Sequence, residues 1–157
     1  MPIQYTEFNT WCWLGEDSAK LASRPRTINE DAKQVFISGQ CHSLAVALNR
    51  LTGWKLYGMY TDDDINEYGE KTDSPDHVIV RTPYGFADIG GLGVDERYSR
   101  RTSRHFHLLP ITEEEIESWE EPRHSTWGRY HPLQTEDAMP YAKLLLKRIN
   151  KAVKEGR

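Results

Sequence analysis

The alternation of apolar and polar positions is clearest between Gly39 and Trp54, in GQCHSLAVALNRLTGW. Cys41, Leu44, Ala45, Leu48 and Leu51 share one face of a helix, at steps of three, four, seven and ten from the cysteine. Gly53 supplies the C-terminal stop. The period then changes. Lys55–Tyr60 (KLYGMY) alternates and predicts a strand, and His77–Arg81 (HVIVR) predicts a second, β-branched one. Thr82-Pro83-Tyr84-Gly85 has proline second and glycine fourth, the pattern of a type I turn. Phe86–Ile89 returns as the partner strand and Gly90-Gly91-Leu92-Gly93 ends it, while His105–Leu109 predicts one strand more.

The remaining segments carry weaker signals. Phe8–Gly15 is aromatic and fits a short helix or a strand, and Ser23–Thr27 reads as a linker. Asn29 is a natural N-cap for one or two helical turns ending near Phe36, before Ser38 and Gly39 break the chain. Thr61–Asp76 is an acidic loop whose Asp62, Asp63 and Asp64 are contiguous, so it lacks the alternate ligand spacing of a calcium loop. Val94–Arg104 reads as a charged connection. Thr112 caps a short helix that has Glu113, Glu114 and Glu115 in its first turn. Pro122–Gln134 reads as loop, and Pro140 as the first position of a last helix to about residue 154, with Tyr141, Leu144, Leu145 and Ile149 along one face. The expected architecture is one α+β domain over residues 1–157 with its core at about 28–110. The Cys41 helix should pack on an antiparallel sheet.

Composition narrows the function classes. Of 157 residues, 38% are hydrophobic and 28% charged, the balance of a globular domain, and the net charge of −4 gives no bulk attraction to nucleic acid or an anionic membrane. Met1–Thr10 lacks the apolar core of a secretory signal, and no apolar run reaches the roughly 18 residues a membrane span needs. Two cysteines, Cys12 and Cys41, make a poor disulfide framework, so a reducing, cytoplasmic setting is expected. Cys12, between Trp11 and Trp13, reads as a packed apolar residue.

Cys41 is different because it opens a helix, where unpaired backbone N–H groups and the dipole favour a thiolate. If Arg81 pairs with Phe86 across the four-residue turn, His77 faces Gly90. Asp88 then lies two residues away on the same sheet face, as a diagonal neighbour of His77. Cysteine attack on a carbonyl needs a thiolate, a base that later acts as acid, and a group that fixes the imidazole tautomer. Cys41, His77 and Asp88 have those chemistries. Gln40 and Gln34 are candidate oxyanion donors beside the Cys41 backbone N–H, and Trp54 is a candidate substrate contact. A helix turns His42 about 100° from Cys41, so it is not taken as the base. His105-x-His107 puts two imidazoles on one strand face, a zinc site only if a third ligand came from elsewhere.

Gly39-Gln40-Cys41 opening a helix, His77-Val78-x-Val80 on a strand and Gly85-x-x-Asp88 together resemble the core of the papain-like cysteine hydrolases, nearest in order to their transglutaminase-like branch. The resemblance spans about Gly39 to Gly90. It implies a papain-like fold, Cys41 as nucleophile, His77 as base and acid, and Asp88 as the orienting carboxylate. The implied activity is hydrolysis or acyl transfer on an amide, isopeptide or thioester bond of a protein or peptide-like substrate, with no cofactor or metal. Two positions depart from it: His42 stands where transglutaminases usually have Trp, and Val35 where papain-like proteases often have an oxyanion Gln. The competing expectation is a catalytically silent protein-interaction module on the same fold.

Overall fold

The computed structural model describes residues 5–10, 20–22, 28–37, 39–102, 105–119 and 130–156. Cys12, the Ser23–Thr27 linker and residues 122–129 of the expected loop lie outside these. Strands β1 (Tyr5–Glu7) and β2 (Lys20–Ala22) form a small antiparallel ladder. Helix α1 (Glu30–Ile37) starts where expected, the Ala32 N–H donating to Asn29 Oδ1 at 2.9 Å. Helix α2 (Cys41–Thr52) follows the break and ends on Gly53, whose φ of 76° and N–H bond to the Asn49 carbonyl make a left-handed cap.

Five antiparallel strands form the main sheet: β3 (Lys55–Tyr60), β4 (His77–Thr82), β5 (Gly85–Asp88), β6 (Gly91–Leu92) and β7 (His107–Pro110), in the order β6-β5-β4-β3-β7. The β4–β5 hairpin has the register its turn chemistry requires, Arg81 opposite Phe86. Thr82 Oγ1 accepts from the Tyr84 N–H and donates to the Gly85 carbonyl, fixing the turn. The last strand starts two residues later than the alternation suggests, because Tyr60, the end of β3, pairs with His107.

Side chains alternate between two apolar layers. Leu56, Tyr60, Val78, Val80 and Ala87 join the main core with α1, α2 and helix α5 (Thr135–Lys154). Met59, Ile79 and Phe86 point the other way, against Val94 and Tyr98 of helix α3 (Val94–Thr102). Gly58 leaves room for the chain that crosses it: a Cβ there would sit 2.7 Å from Tyr60 Cε2 and 2.9 Å from Pro75.

Four expectations are corrected. Val94–Thr102 is a helix rather than a connection. Helix α2 is buried all round from Cys41 to Leu48, because α1, α5 and the sheet enclose it, and only near its end does Leu51 emerge at 37% exposure. Gly91–Leu92 is a short strand, not merely the end of β5. Pro140 lies inside α5, which begins five residues earlier because Gln134, at its N-cap, is anchored to the body. Helix α4 (Glu113–Ser118) is capped by Thr112 as expected, its Oγ1 accepting from the Glu115 N–H at 3.1 Å.

Candidate active site

Helix α2 begins in an unusual way. Gln40 occupies the N-cap position, yet its side chain makes no capping bond. Its Nε2 donates to the Asn9 carbonyl at 2.8 Å and to Gln134 Oε1 at 3.1 Å, while its Oε1 accepts from Ser43 Oγ. The Gln134 N–H closes the loop on Ser43 Oγ at 2.9 Å, and the Asn9 N–H donates to Gln134 Oε1 at 2.8 Å. This polar clamp ties the start of α2 to the N-terminal segment and to the start of α5. With no side-chain cap, the positive end of the helix stays directed at Cys41.

His77 opens β4 and is fully buried. Its Nε2–H donates to Asp88 Oδ2 at 3.0 Å, and the ring stacks on Tyr98 with centroids 4.8 Å apart. Asp88, at the end of β5, is 6% exposed. Its second oxygen accepts from Arg97 Nη2 at 2.7 Å and from the Gly90 N–H at 2.8 Å. Arg97 also donates to the carbonyls of Gly91 and Leu92, so α3 grips the turn that carries Asp88. A Cβ on Gly90 would lie 2.9 Å from Arg97 Nη2 and 3.2 Å from Asp88 Oδ1, which explains the glycine there. Burial opposes ionisation of Asp88, but the bond from His77 and then its charge hold the carboxyl below its ordinary value.

Cys41 is buried in the first turn of α2, where the charge of His77 acts on its sulfur. With His77 Nε2 committed to Asp88, the nitrogen left over is Nδ1, which is buried and has no hydrogen-bond partner among the described residues. Burial works against a thiolate, but the charge on His77 leads the effects that bring Cys41 down to about 6. Burial likewise works against an imidazolium, but the Cys41 charge and the Asp88 bond push His77 up to about 10. Between these values the pair is a thiolate and an imidazolium. The Tyr130 hydroxyl donates to the Pro75 carbonyl, and burial followed by the Cys41 charge keeps the phenol protonated.

Of the residues singled out from sequence, Cys41, His77 and Asp88 come together; the three others do not join them. Gln40 is next to Cys41 and buried, but both of its donors are spent within the clamp, so it positions the helix and has no N–H left for an oxyanion. Gln34 is exposed on α1. Trp54 follows the far end of α2, about 18 Å away by helix rise, and packs against the core there. Of the candidate oxyanion donors, the backbone N–H of Cys41 is left. Arg97, Tyr98, Tyr130 and His42 were not foreseen as parts of the site. A signal for the first two was present: Val94 and Tyr98 are four apart, with acidic residues in the first turn and basic ones in the last, the signature of a helix with one inward face.

His105 and His107 have rings 5.0 Å apart, and His107 Nε2 pairs with Asp62 Oδ1 at 2.6 Å. Among the described residues no group of three or more His, Cys, Asp or Glu side chains is arranged to hold a metal. No helix among them is long and apolar enough to cross a membrane. Comparison with known proteins found no matching family, no matching curated protein and no matching solved structure.

Proposed function

We propose that this protein is a cysteine-dependent hydrolase or acyltransferase of papain-like fold, with the transglutaminase-like order of site residues, acting on an amide, isopeptide or thioester bond of a protein or peptide-like substrate in the cytoplasm. The observation that carries the reading is the buried His77–Asp88 pair, Nε2 to Oδ2 at 3.0 Å, with Cys41 buried at the start of the neighbouring helix. The thiolate attacks the carbonyl carbon and forms a C–S bond, with the Cys41 backbone N–H facing the developing oxyanion. His77 Nδ1–H gives its proton to the leaving amine or thiol as the scissile bond breaks, leaving acyl-Cys41. Water or an amine then attacks, passing a proton to His77 as the C–S bond breaks and the thiolate returns. Asp88 keeps the tautomer and does not itself take the proton.

Burial of Cys41, at 5% exposure, favours a second reading: the same fold as a catalytically silent protein-interaction module. One experiment separates the two. A panel of aryl amide and aryl thioester substrates is offered to the parent protein, Cys41→Ala and His77→Ala, with intact-mass analysis after acid quench. The catalytic reading expects turnover, an acyl adduct on the peptide containing Cys41, and loss of both in each variant. Neither turnover nor adduct in the parent across the panel leaves the silent module.

A further inference from the structure

His77 is fully buried, so no water solvates either face of its ring. One face is closed by an aromatic side chain. Tyr98 stacks on the imidazole with centroids 4.8 Å apart and planes only 18° from parallel, a favoured arrangement of aromatic pairs. Tyr98 is itself held in place. It makes an edge-to-face pair with Phe106, centroids 6.1 Å apart and planes at 79°. One turn earlier on α3, Val94 is buried against Met59 and Ile79. Ile79 is two residues from His77 and points from the same sheet face. Burial, followed by the charge of Asp88, opposes ionisation of the Tyr98 phenol, so the ring that faces His77 is neutral. The residue before it is Arg97, whose guanidinium donates to Asp88 at 2.7 Å. Two consecutive side chains of α3 thus hold the two members of the His77–Asp88 pair.

We propose that Tyr98 is a positioning residue for His77, its ring face fixing the plane of the imidazole and favouring the protonated form. The bond to Asp88 holds Nε2 at one point and leaves the ring free to tilt about it. A near-parallel aromatic ring against the face removes that tilt. The direction of Nδ1, from which the proposed reaction takes its proton, is then set as well. The electronic effect works in the same direction as the Asp88 charge. The face of a tyrosine ring carries the negative part of its quadrupole and attracts a cation placed over it. A neutral imidazole gains far less, so removing the face should lower the His77 midpoint. Of the other groups acting on this ring, Cys41 from α2 and Asp88 from β5 both favour its positive form, and Arg97 stands behind Asp88. Arg101 and Arg97, both of α3, act on Tyr98. The inference rests on His77 being the acid and base of the proposed reaction, but its test reads the imidazole and needs no turnover.

The test is an NMR titration of the isotope-labelled His77 ring in the full chain, both in the parent and in Cys41→Ala, where no sulfur chemistry intervenes. Tyr98→Phe keeps the ring and removes only the hydroxyl; Tyr98→Leu keeps an apolar side chain and removes the face. The expected result is a His77 midpoint lowered by about one pH unit in Tyr98→Leu, in both backgrounds, with Tyr98→Phe close to the unsubstituted chain. The Nε2–H signal should broaden through faster exchange with water in Tyr98→Leu and stay sharp in Tyr98→Phe. A packing role alone would lower the melting temperature of Tyr98→Leu and leave the midpoint and the signal unmoved, and that outcome overturns the proposal. So does a Tyr98→Phe midpoint that falls as far as that of Tyr98→Leu, which would place the effect in the hydroxyl. If Tyr98→Leu does not fold, pentafluorophenylalanine at position 98 takes its place, because it keeps the shape of phenylalanine and reverses the charge of the ring face. Its midpoint must then lie below that of Tyr98→Phe, and equal midpoints refute the proposal. The hydrolase reading fails by a different result, a parent His77 midpoint that does not change when Cys41 is removed.

Discussion

Replacing Arg97 with alanine isolates the outermost contact of the site. Arg97 Nη2 meets Asp88 Oδ1 at 2.7 Å, with the guanidinium side chain 41% exposed and the carboxylate 6% exposed. A charge-assisted hydrogen bond to a buried carboxylate is worth about 1.5–3 kcal/mol, and exposure of the guanidinium discounts that to about 1–2 kcal/mol. Asp88 retains the His77 and Gly90 donors, so the variant should fold. The assay is urea unfolding of the parent, Arg97→Ala, Asp88→Asn and the double variant, taken as a cycle. The expected coupling is about 1–2 kcal/mol, since the two side chains touch directly. The pH dependence has a definite sign. Asp88 ionises below its unfolded value, so the Arg97 contribution is present above about pH 4 and is lost as pH falls through the folded value. A coupling under about 0.5 kcal/mol at neutral pH, within the scatter of independent sites, would refute the claim that α3 holds Asp88. A coupling that fades on the alkaline side would refute its electrostatic origin.

Ser43→Ala should destabilise by about 1–3 kcal/mol, because the Gln134 N–H and Gln40 Oε1 both lose their partner; Ser43→Thr, which keeps the hydroxyl, is the control, and equal denaturation midpoints for parent and Ala would refute the clamp. The Cys41–His77 pair sets a second pH profile. Cys41, lowered from 9.0 to about 6, contributes stability above 9.0 that is lost as pH falls through 6; His77, raised from 6.5 to about 10, contributes below 6.5 and loses it as pH rises through 10. Between about 6.5 and 9 folded and unfolded chains hold equal numbers of protons at the pair, so the difference in melting temperature between parent and the Cys41→Ala/His77→Ala variant should be flat there and decline from pH 9 to 10. A decline that begins near pH 7 would contradict the pairing.

What the sequence disclosed is what short-range geometry determines. The Thr82–Gly85 turn sets its own hairpin register, so the His77–Asp88 contact, between residues 11 apart, followed from one short stretch of local pattern. Gly53 and Asn29 likewise act within one turn of their helices. The Val94–Thr102 helix was obscured because nearly every side chain on it is charged or polar, and only Val94 and Tyr98 turn inward. Pro140 misled for a related reason: proline is best placed in a first turn, but the packing of α5 on α2 and the anchoring of Gln134 outweigh one lost backbone bond. Gln40 had the right chemistry for an oxyanion donor, yet its partners Asn9 and Gln134 lie 31 and 94 residues away.

The long-range part of the site obeys one electrostatic requirement. A buried thiolate and a buried imidazolium each carry several kcal/mol of desolvation cost, and a further carboxylate behind them would leave the cluster with a net negative charge. Arg97 removes that excess. The charges then alternate outward: Cys41 negative, His77 positive, Asp88 negative, Arg97 positive, with only the last substantially exposed. Each inner charge is thus flanked by opposite ones, and the cluster as a whole is neutral. An apolar sheet face bearing Met59, Ile79 and Phe86 can close around it without leaving a net charge in low dielectric. The helix that carries Arg97 also supplies Tyr98, which covers the imidazole. A highly charged helix packed on one face by two side chains is therefore what the buried relay needs, although in the sequence it resembles a solvated connection.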